Sequence, residues 1–154
     1  MSNRMPAIPL QQLSDALTDI VVQAAPSVVS VHSARSHSSG FVWRPGLIVT
    51  ADDALDDEGA ITIHLAGGDR AAASLVGRDP TTDVALLRID RTDSPPVTLE
   101  SASVPAGALV CSVGSLLGSS ITAFGTVSFV GKAWRSLRGG EIDASLGRKC
   151  GPAV

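Results

Sequence analysis

The stretch LVGRDPTTDVALLRID, residues 75–90, carries the strongest information about the fold in this sequence. Its centre, Arg78-Asp79-Pro80, is typical of a tight turn, because proline fixes φ and aspartate binds nearby backbone amides. Its second half, DVALLRID (83–90), is a short aliphatic run with the length of a β-strand. A turn that leads directly into such a run predicts two neighbouring strands of an antiparallel sheet.

Runs of the same kind precede this stretch. They are SVVSVHS (27–33), GFVWR (40–44), GLIVTA (46–51), AITIHLA (60–66) and AAASLVGR (71–78). Gly, Pro, Asp and Ser separate them at intervals of about ten residues, and GGD (67–69) predicts a hairpin turn. Before the strands, apolar residues at helical spacing predict one amphipathic helix over residues 12–24, with Ser14 as its N-cap. Pro26 follows the end of this helix.

A second series of strands follows RTDSPP (91–96), which has the composition of a linker. Its members are ALVCSVG (108–114), SSITAFGTVSFVG (119–131) and GGEIDASL (139–146). Two clusters of strands joined by a proline-rich crossing predict an all-β protein, built as two antiparallel barrels or as a sandwich.

The composition permits a sizeable hydrophobic core, and the net charge argues against nucleic-acid and membrane binding. Of 154 residues, 44% are hydrophobic but only 3% are aromatic, so Val, Leu, Ile and Ala are expected to fill the core. The net charge of −3 provides no strong basic field for nucleic acid or an anionic membrane. No apolar run reaches the roughly 18 residues of a membrane span.

The first 29 residues do not have the pattern of a secretory signal. Pro6, Pro9, Asp15 and Asp19 interrupt any apolar segment there. As written, the product is expected to stay in the cytoplasm.

The two cysteines, Cys111 and Cys150, lie 39 residues apart. This spacing indicates neither a disulfide framework nor a metal site. The simplest interpretation is a buried Cys111 and an incidental Cys150, with a single disulfide as the alternative. No cofactor is expected.

Five segments together resemble the HtrA/Deg branch of the trypsin-like serine proteases. They are APSVVSV, SGFVWRPGLIVTA, LVGRDPTTDVALLRID, VCSVG and TAFGTVSFVG. They occur in the family's order within residues 13–154, and Gly77 to Ile89 is the most specific part. The resemblance implies a trypsin-like double β-barrel with the active site in the cleft between the barrels. The predicted domains are an N-terminal extension with a short helix (1–25), a first barrel lobe (26–92) and a partial, incomplete second barrel lobe (97–154).

The resemblance also assigns the three positions of the family's catalytic triad, which follow the order His, Asp, Ser. The acid falls on Asp83. The histidine is the fourth residue of a Thr-x-x-His stretch, which is here TADD (50–53), so Asp53 holds that position. The serine of Gly-x-Ser-Gly-Gly-Pro corresponds, within GRKCGP (147–152), to Lys149.

These substitutions remove the chemistry that the family uses. The general base must take a proton from the serine and return it, and an imidazole with a pKa near 7 does this. A carboxylate at position 53 is too weak a base by roughly three pKa units. A lysine at position 149 needs strong desolvation to lose its proton, and two nearby carboxylates have the opposite effect.

Two alternatives stay open for the polar residues. The histidines, His32, His37 and His64, are interpreted as structural or solvated, but an active enzyme with a rearranged triad would need His32 or His64 to converge on Asp83 with Ser145 or Cys150. The acidic cluster Asp52, Asp53, Asp56, Asp57 and Glu58 is interpreted as a solvated loop, with a divalent cation site as the alternative.

The predicted function is therefore that of an HtrA-type serine endopeptidase-family domain that is a catalytically inactive pseudoprotease. At most it binds an extended peptide or unfolded protein, by β-addition to an exposed strand edge. The alternative is an active serine endopeptidase. The sequence does not indicate an oligomeric state.

The position of the GRKCGP motif adds one expectation about packing. In the family, further strands follow this motif, whereas here only Ala153 and Val154 do. The second lobe is therefore expected to expose apolar side chains, with Leu109, Val113, Phe124, Val127 and Phe129 as candidates.

Overall fold

The computed structural model describes residues 9–34, 36–56, 59–90, 93–100, 103–132, 134–135, 141–142 and 145–150. In order along the chain, the elements are helix α1 (Leu10–Ala24), a 3-10 turn (Ala25–Ser27), and strands β1 (Val28–Ser33), β2 (Ser36–Arg44), β3 (Leu47–Thr50), β4 (Ile61–His64), β5 (Arg70–Asp79), β6 (Val84–Ile89), β7 (Leu109–Leu116), β8 (Ser119–Gly131), β9 (Trp134–Arg135), β10 (Glu141–Ile142) and β11 (Ser145–Cys150).

The first six strands form a closed antiparallel barrel in the order β1-β2-β3-β6-β5-β4. The pairing of β1 with β4 closes the barrel and places Ser30 opposite His64. Closure leaves no free strand edge in this lobe.

Aliphatic side chains fill the barrel, as the composition predicts. Strand β6 alternates in burial, with Ala85, Leu87 and Ile89 inside the barrel, because successive side chains of a strand point to opposite faces. The core consists of Val29, Val31, Val42, Ile48, Leu55, Ile63, Leu65, Ala85, Leu87 and Ile89. Each of the larger side chains contributes about 1.5–3 kcal/mol by leaving water, so this cluster is a major source of the lobe's stability.

The second lobe is a more open structure within the described residues. Strands β11, β8 and β7 form a three-stranded sheet in that order, and β9 and β10 form a two-stranded ribbon. Strand β7 packs against β1 and β2 of the barrel, and α1 packs against β7. The all-β, trypsin-like fold with an incomplete second barrel and a short N-terminal helix is confirmed, while the domain boundaries at 25/26 and 92/97 stay predictions.

The structure corrects two of the predicted local elements and confirms a third. The helix begins at Leu10 after Pro9, without a side-chain cap, so the prediction of Ser14 as its N-cap is wrong. Ser14 lies inside the helix, where its carbonyl accepts a hydrogen bond from the Thr18 hydroxyl. The predicted run 139–146 contains the short strand β10 and the start of β11 rather than one strand. The hairpin turn at Gly67 and Gly68 is confirmed, and both have positive φ.

The expected exposure of the second lobe is correct for three of the five named residues. Leu109, Phe124 and Phe129 are exposed. Val113 is half-buried, and Val127 is buried. The Val127 backbone is bonded on one side to Gly107 and Ala108 and pairs on the other with β11. No described helix is long and apolar enough to cross a membrane.

Candidate active-site region

The acid position of the triad follows a turn that Asp79 organises. The Asp79 carboxylate accepts hydrogen bonds from the Thr81 amide at 2.9 Å and from the Thr82 hydroxyl at 2.8 Å. The bond from Thr82 contributes most to lowering the pKa of Asp79, since it favours the charged form. The turn ends at Asp83, which has φ of 56°, a left-handed conformation that aspartate tolerates better than most residues.

Asp83 and Asp53 are neighbours. The backbone N–H of Asp53 donates a 2.8 Å hydrogen bond to Oδ1 of Asp83, and the Asp52 N–H donates to the Asp83 carbonyl at 3.3 Å. Both Asp53 and Asp83 are exposed. The structure thus brings together the residues at the family's His and Asp positions, and the assignment of those positions stays a prediction.

The other acid of the pair, Asp52, has a different environment. It is buried, and its carboxylate forms an ion pair with Nε of Arg78. The Arg78 guanidinium also donates to the backbone carbonyls of Asp52 at 3.2 Å and Leu55 at 3.4 Å. Arg78 therefore ties the connection after β3 to the end of β5, and Asp52 is a structural residue.

The acidic cluster does not form a cation site in the described residues. Asp56 bonds to Ser33 through both its amide, at 3.0 Å, and its carboxylate, at 3.4 Å. No described group of three or more His, Cys, Asp or Glu residues could hold a metal ion. Asp57 and Glu58 lie outside the described residues.

The residue predicted to hold the family's serine position, Lys149, lies in strand β11. Lys149 pairs there with Thr126 of β8, and the register shifts by one residue between Gly147 and Arg148. The backbone of position 149 is thus placed in the second lobe, while the Lys149 side chain and residues 151–154 lie outside the description.

The three histidines lie together, which the sequence analysis did not predict. The His32 ring stacks on His64 with centroids 4.2 Å apart and meets His37 edge-on at 4.1 Å. Burial is the largest cause that lowers the pKa of both His32 and His64. The carboxylate of Asp83 accepts its hydrogen bond from a backbone amide and from no described histidine.

Cys111 has a free thiol, but this residue is not fully buried, in contrast to the prediction from the sequence. It is half-buried in β7, and burial raises its pKa. Cys111 therefore shows none of the features of an activated nucleophile.

Comparison with known proteins identifies the family. The family model for the trypsin-like peptidase domain matches residues 38–154. The chain belongs to the trypsin-like peptidases, in the HtrA-type branch. This family resemblance explains why a six-stranded barrel precedes a second, β-rich lobe.

Two curated relatives share sequence with most of the chain. The probable periplasmic serine endoprotease DegP-like of Pseudomonas fluorescens is 38% identical over 103 residues, which cover 65% of this chain and 22% of the relative. Serine protease Rv3671c of Mycobacterium tuberculosis is 30% identical over 129 residues, covering 79% of this chain and 32% of the relative. The chain thus spans about a fifth to a third of the length of these relatives.

Solved structures share the fold. The serine endoprotease from Yersinia pestis matches 73% of this chain and 44% of its own, with a TM-score of 0.67 and 28% identity. Rv3671c matches 82% of this chain and 63% of its own, with a TM-score of 0.68 and 23% identity, a likeness that supports the fold alone.

Proposed function

We propose that this HtrA-type domain is a catalytically inactive relative of the serine endopeptidases, which keeps at most the ability to bind extended peptides or unfolded protein. The observation that carries the proposal is the hydrogen bond from the Asp53 amide to the Asp83 carboxylate. In the family's chemistry the acid orients a histidine ring. Here it contacts the backbone of a residue whose side chain is another carboxylate.

The chemistry of this arrangement supports the proposal. A general base must hold a proton between the attack on substrate and the departure of the leaving group, and a pKa near the working pH allows this. Asp53 and Asp83 are both exposed acids, and a carboxylate is a much weaker base than the imidazole that this chemistry uses. With lysine at position 149, the predicted nucleophile position also lacks a hydroxyl.

The rival function, an active endopeptidase with a rearranged triad, has less support. It needs His32 or His64 near Ser145 or Cys150. Both of these residues lie in β11, which β8 and β7 separate from the barrel in the strand order β11-β8-β7. The strand of this sheet that packs against β1 and β2 is β7, and no described histidine bonds to Asp83.

A strand edge offers a place for peptide binding. In the described part of the second lobe, β11 is an outer strand of its sheet. An outer strand presents backbone donors and acceptors that an extended peptide can pair with. The relatives are named as endoproteases, a class that acts on polypeptides, and this supports a polypeptide as the ligand.

The cellular compartment of the protein is also a matter of proposal. The sequence favours the cytoplasm, and this stays a prediction. The Pseudomonas relatives are named as periplasmic proteins, which favours the periplasm instead. Fractionation of cells that express the native gene product distinguishes the two compartments.

Fluorescein-labelled casein, an unfolded protein, tests binding and cleavage in one experiment. We expect a saturable rise in fluorescence anisotropy and no release of acid-soluble fluorescence over hours. Unlabelled casein should compete for binding, whereas a folded protein such as lysozyme at equal concentration should not. The matched variants Ser145→Ala and Cys150→Ala should leave both measurements unchanged.

Two results would contradict the proposal. Cleavage that disappears in Ser145→Ala or Cys150→Ala would establish the rival function. Absence of both binding and cleavage would remove the binding role.

A further inference from the structure

The three histidines lie on the face of the barrel that meets the second lobe. His37 and Ser39 are two residues apart in β2, so their side chains share one face of the sheet. Ser39 binds Ser115 of β7 through two hydrogen bonds, accepting from its amide at 2.9 Å and donating to its carbonyl at 3.3 Å. His37 is therefore next to a specific contact between the lobes.

The β7–β8 hairpin also reaches the barrel beside His64. The turn of this hairpin contains Gly118, where an added Cβ would lie 3.0 Å from the carbonyl oxygen of Leu65. Leu65 directly follows His64 at the end of β4. The hairpin thus contacts the barrel next to two of the three histidines, and His64 is only 5% exposed.

Two buried polar atoms at this contact have no hydrogen-bond partner. They are Nε2 of His32 and Oγ of Ser30, two residues apart on β1. A neutral imidazole tolerates such a position better than a protonated one, because protonation adds a charged N–H that needs an acceptor. The site therefore suits uncharged rings.

The charges that surround the cluster oppose protonation as well. The groups that act on His32 and His64 are basic: His37 from β2, His64 from β4 and Arg70 from β5. Among the described acids, Asp56 binds Ser33, the residue after His32, and Asp69 precedes Arg70.

We propose that His32, His37 and His64, together with Arg70, form a pH-sensitive contact between the lobes. With neutral rings, the stacked histidines allow the β7–β8 hairpin to pack on β1 and β2. In acid, protonation of His32 or His64 places a charge on a ring that the packed hairpin keeps from water, so the hairpin separates from the barrel and water solvates the charged ring. This regulation is independent of the proposed peptide binding and of catalysis.

The sign of the pH dependence follows from the direction of the pKa shifts. The packed state lowers the pKa of His32 and His64 below the ordinary 6.5, so the open state binds more protons. The contact is therefore fully formed above about pH 6.5 and weakens as the pH falls below that value. For one histidine, each pKa unit of lowering corresponds to about a tenfold change in the opening equilibrium.

Hydrogen exchange of the Ser115 amide tests the proposal directly, because this amide bonds to Ser39 across the contact. Protection factors, corrected for intrinsic exchange, are compared at pH 7.5 and pH 5.0. We expect the Ser115 factor to fall about tenfold or more, while the Leu87 amide inside the barrel keeps its protection. An unchanged Ser115 factor, or an equal loss at Leu87, would overturn the proposal.

The variant His32→Gln/His64→Gln supplies the matched control, since glutamine is polar but does not titrate. Its Ser115 protection should be independent of pH over the same range, and a drop like that of the unmodified chain would overturn the proposal. If this variant does not fold, NMR titration of the histidine ring protons in the unmodified chain provides a second test. The pKa values of the His32 and His64 rings should lie below 6.5 and coincide with the midpoint of the loss of Ser115 protection; a mismatch would overturn the proposal.

Discussion

The Asp53 backbone N–H donates a 2.8 Å hydrogen bond to the Asp83 carboxylate, and so joins the connection after β3 to the turn before β6. In an active trypsin-like enzyme, the equivalent acid would hold an imidazole. Here the Asp83 carboxylate binds the backbone of the connection after β3. At the predicted triad positions, the acid thus contacts a backbone amide, and the predicted histidine position holds an aspartate.

Two substitutions of Asp83 should distinguish the contribution of its hydrogen bond to stability from the contribution of its backbone conformation. Asp83→Ala loses the bond to Asp53 and places alanine in a left-handed conformation, at a cost of about 1–2 kcal/mol in the free energy of unfolding. Asp83→Gly loses only the bond and should cost less. Urea unfolding gives the free energies, and exchange of the Asp53 amide should be faster in both variants. Equal stability of the Ala and Gly variants would contradict the φ of 56° at this position.

The buried pair of Asp52 and Arg78 should contribute strongly to stability. Arg78→Met leaves the Asp52 carboxylate buried without its ionic partner, and we expect a loss of about 3 kcal/mol. Arg88→Met, on the exposed face of β6, should change stability by about 0.5 kcal/mol or less. In a double-mutant cycle, adding Asp52→Asn to Arg78→Met should recover part of the loss. Full additivity of the two single changes would contradict the coupling.

Two glycines of the barrel should respond oppositely to alanine. A Cβ at Gly40 would lie 2.7 Å from the backbone oxygen of Val49, whereas a Cβ at Gly77 would meet nothing within 4 Å. Gly40→Ala should therefore destabilise by about 1–3 kcal/mol. Gly77→Ala should be neutral or stabilise by up to about 1 kcal/mol, through the unfolded chain. Thermal unfolding of both variants measures the difference, and a tolerated Gly40→Ala would contradict the close approach of β2 and β3.

Strand β8 offers a matched pair of apolar residues. Val127 is 2% exposed and Phe129 is 60% exposed. Val127→Ala should cost about 2 kcal/mol, and Phe129→Ala about 0.5 kcal/mol or less, although phenylalanine loses more atoms. The midpoints of urea unfolding give the comparison. A larger loss of stability for Phe129→Ala than for Val127→Ala would show that the Phe129 side chain is covered in solution.

Much of the barrel could be predicted from the sequence, because its signals are local. Aliphatic runs, the turn at Asp79 and the glycines at 67 and 68 each act over a few residues, and the strands they predicted all form. The features that were missed depend on pairing across long distances in sequence. The histidines meet because β1 pairs with both β2 and β4. The Val127 backbone bonds to residues 107–108, about 20 residues earlier in the sequence.

The candidate site was predictable only in part, for a similar reason. The family resemblance pointed to Asp53 and Asp83, and the structure makes them neighbours. Sequence could not distinguish the roles of the adjacent acids, since Asp52 is structural only because Arg78, 26 residues later, reaches it. The start of α1 was misplaced because Ser14 resembles an N-cap, whereas Pro9 already limits the helix.

The central claim, that this HtrA-type domain has no working serine nucleophile, is tested most directly with a fluorophosphonate probe and intact-mass analysis. Such a probe reacts with a serine that a neighbouring base has activated. We predict no mass increase for the unmodified chain at pH 7.5, under conditions that fully label trypsin. A stoichiometric mass increase that maps to Ser145 and disappears in Ser145→Ala would contradict the account.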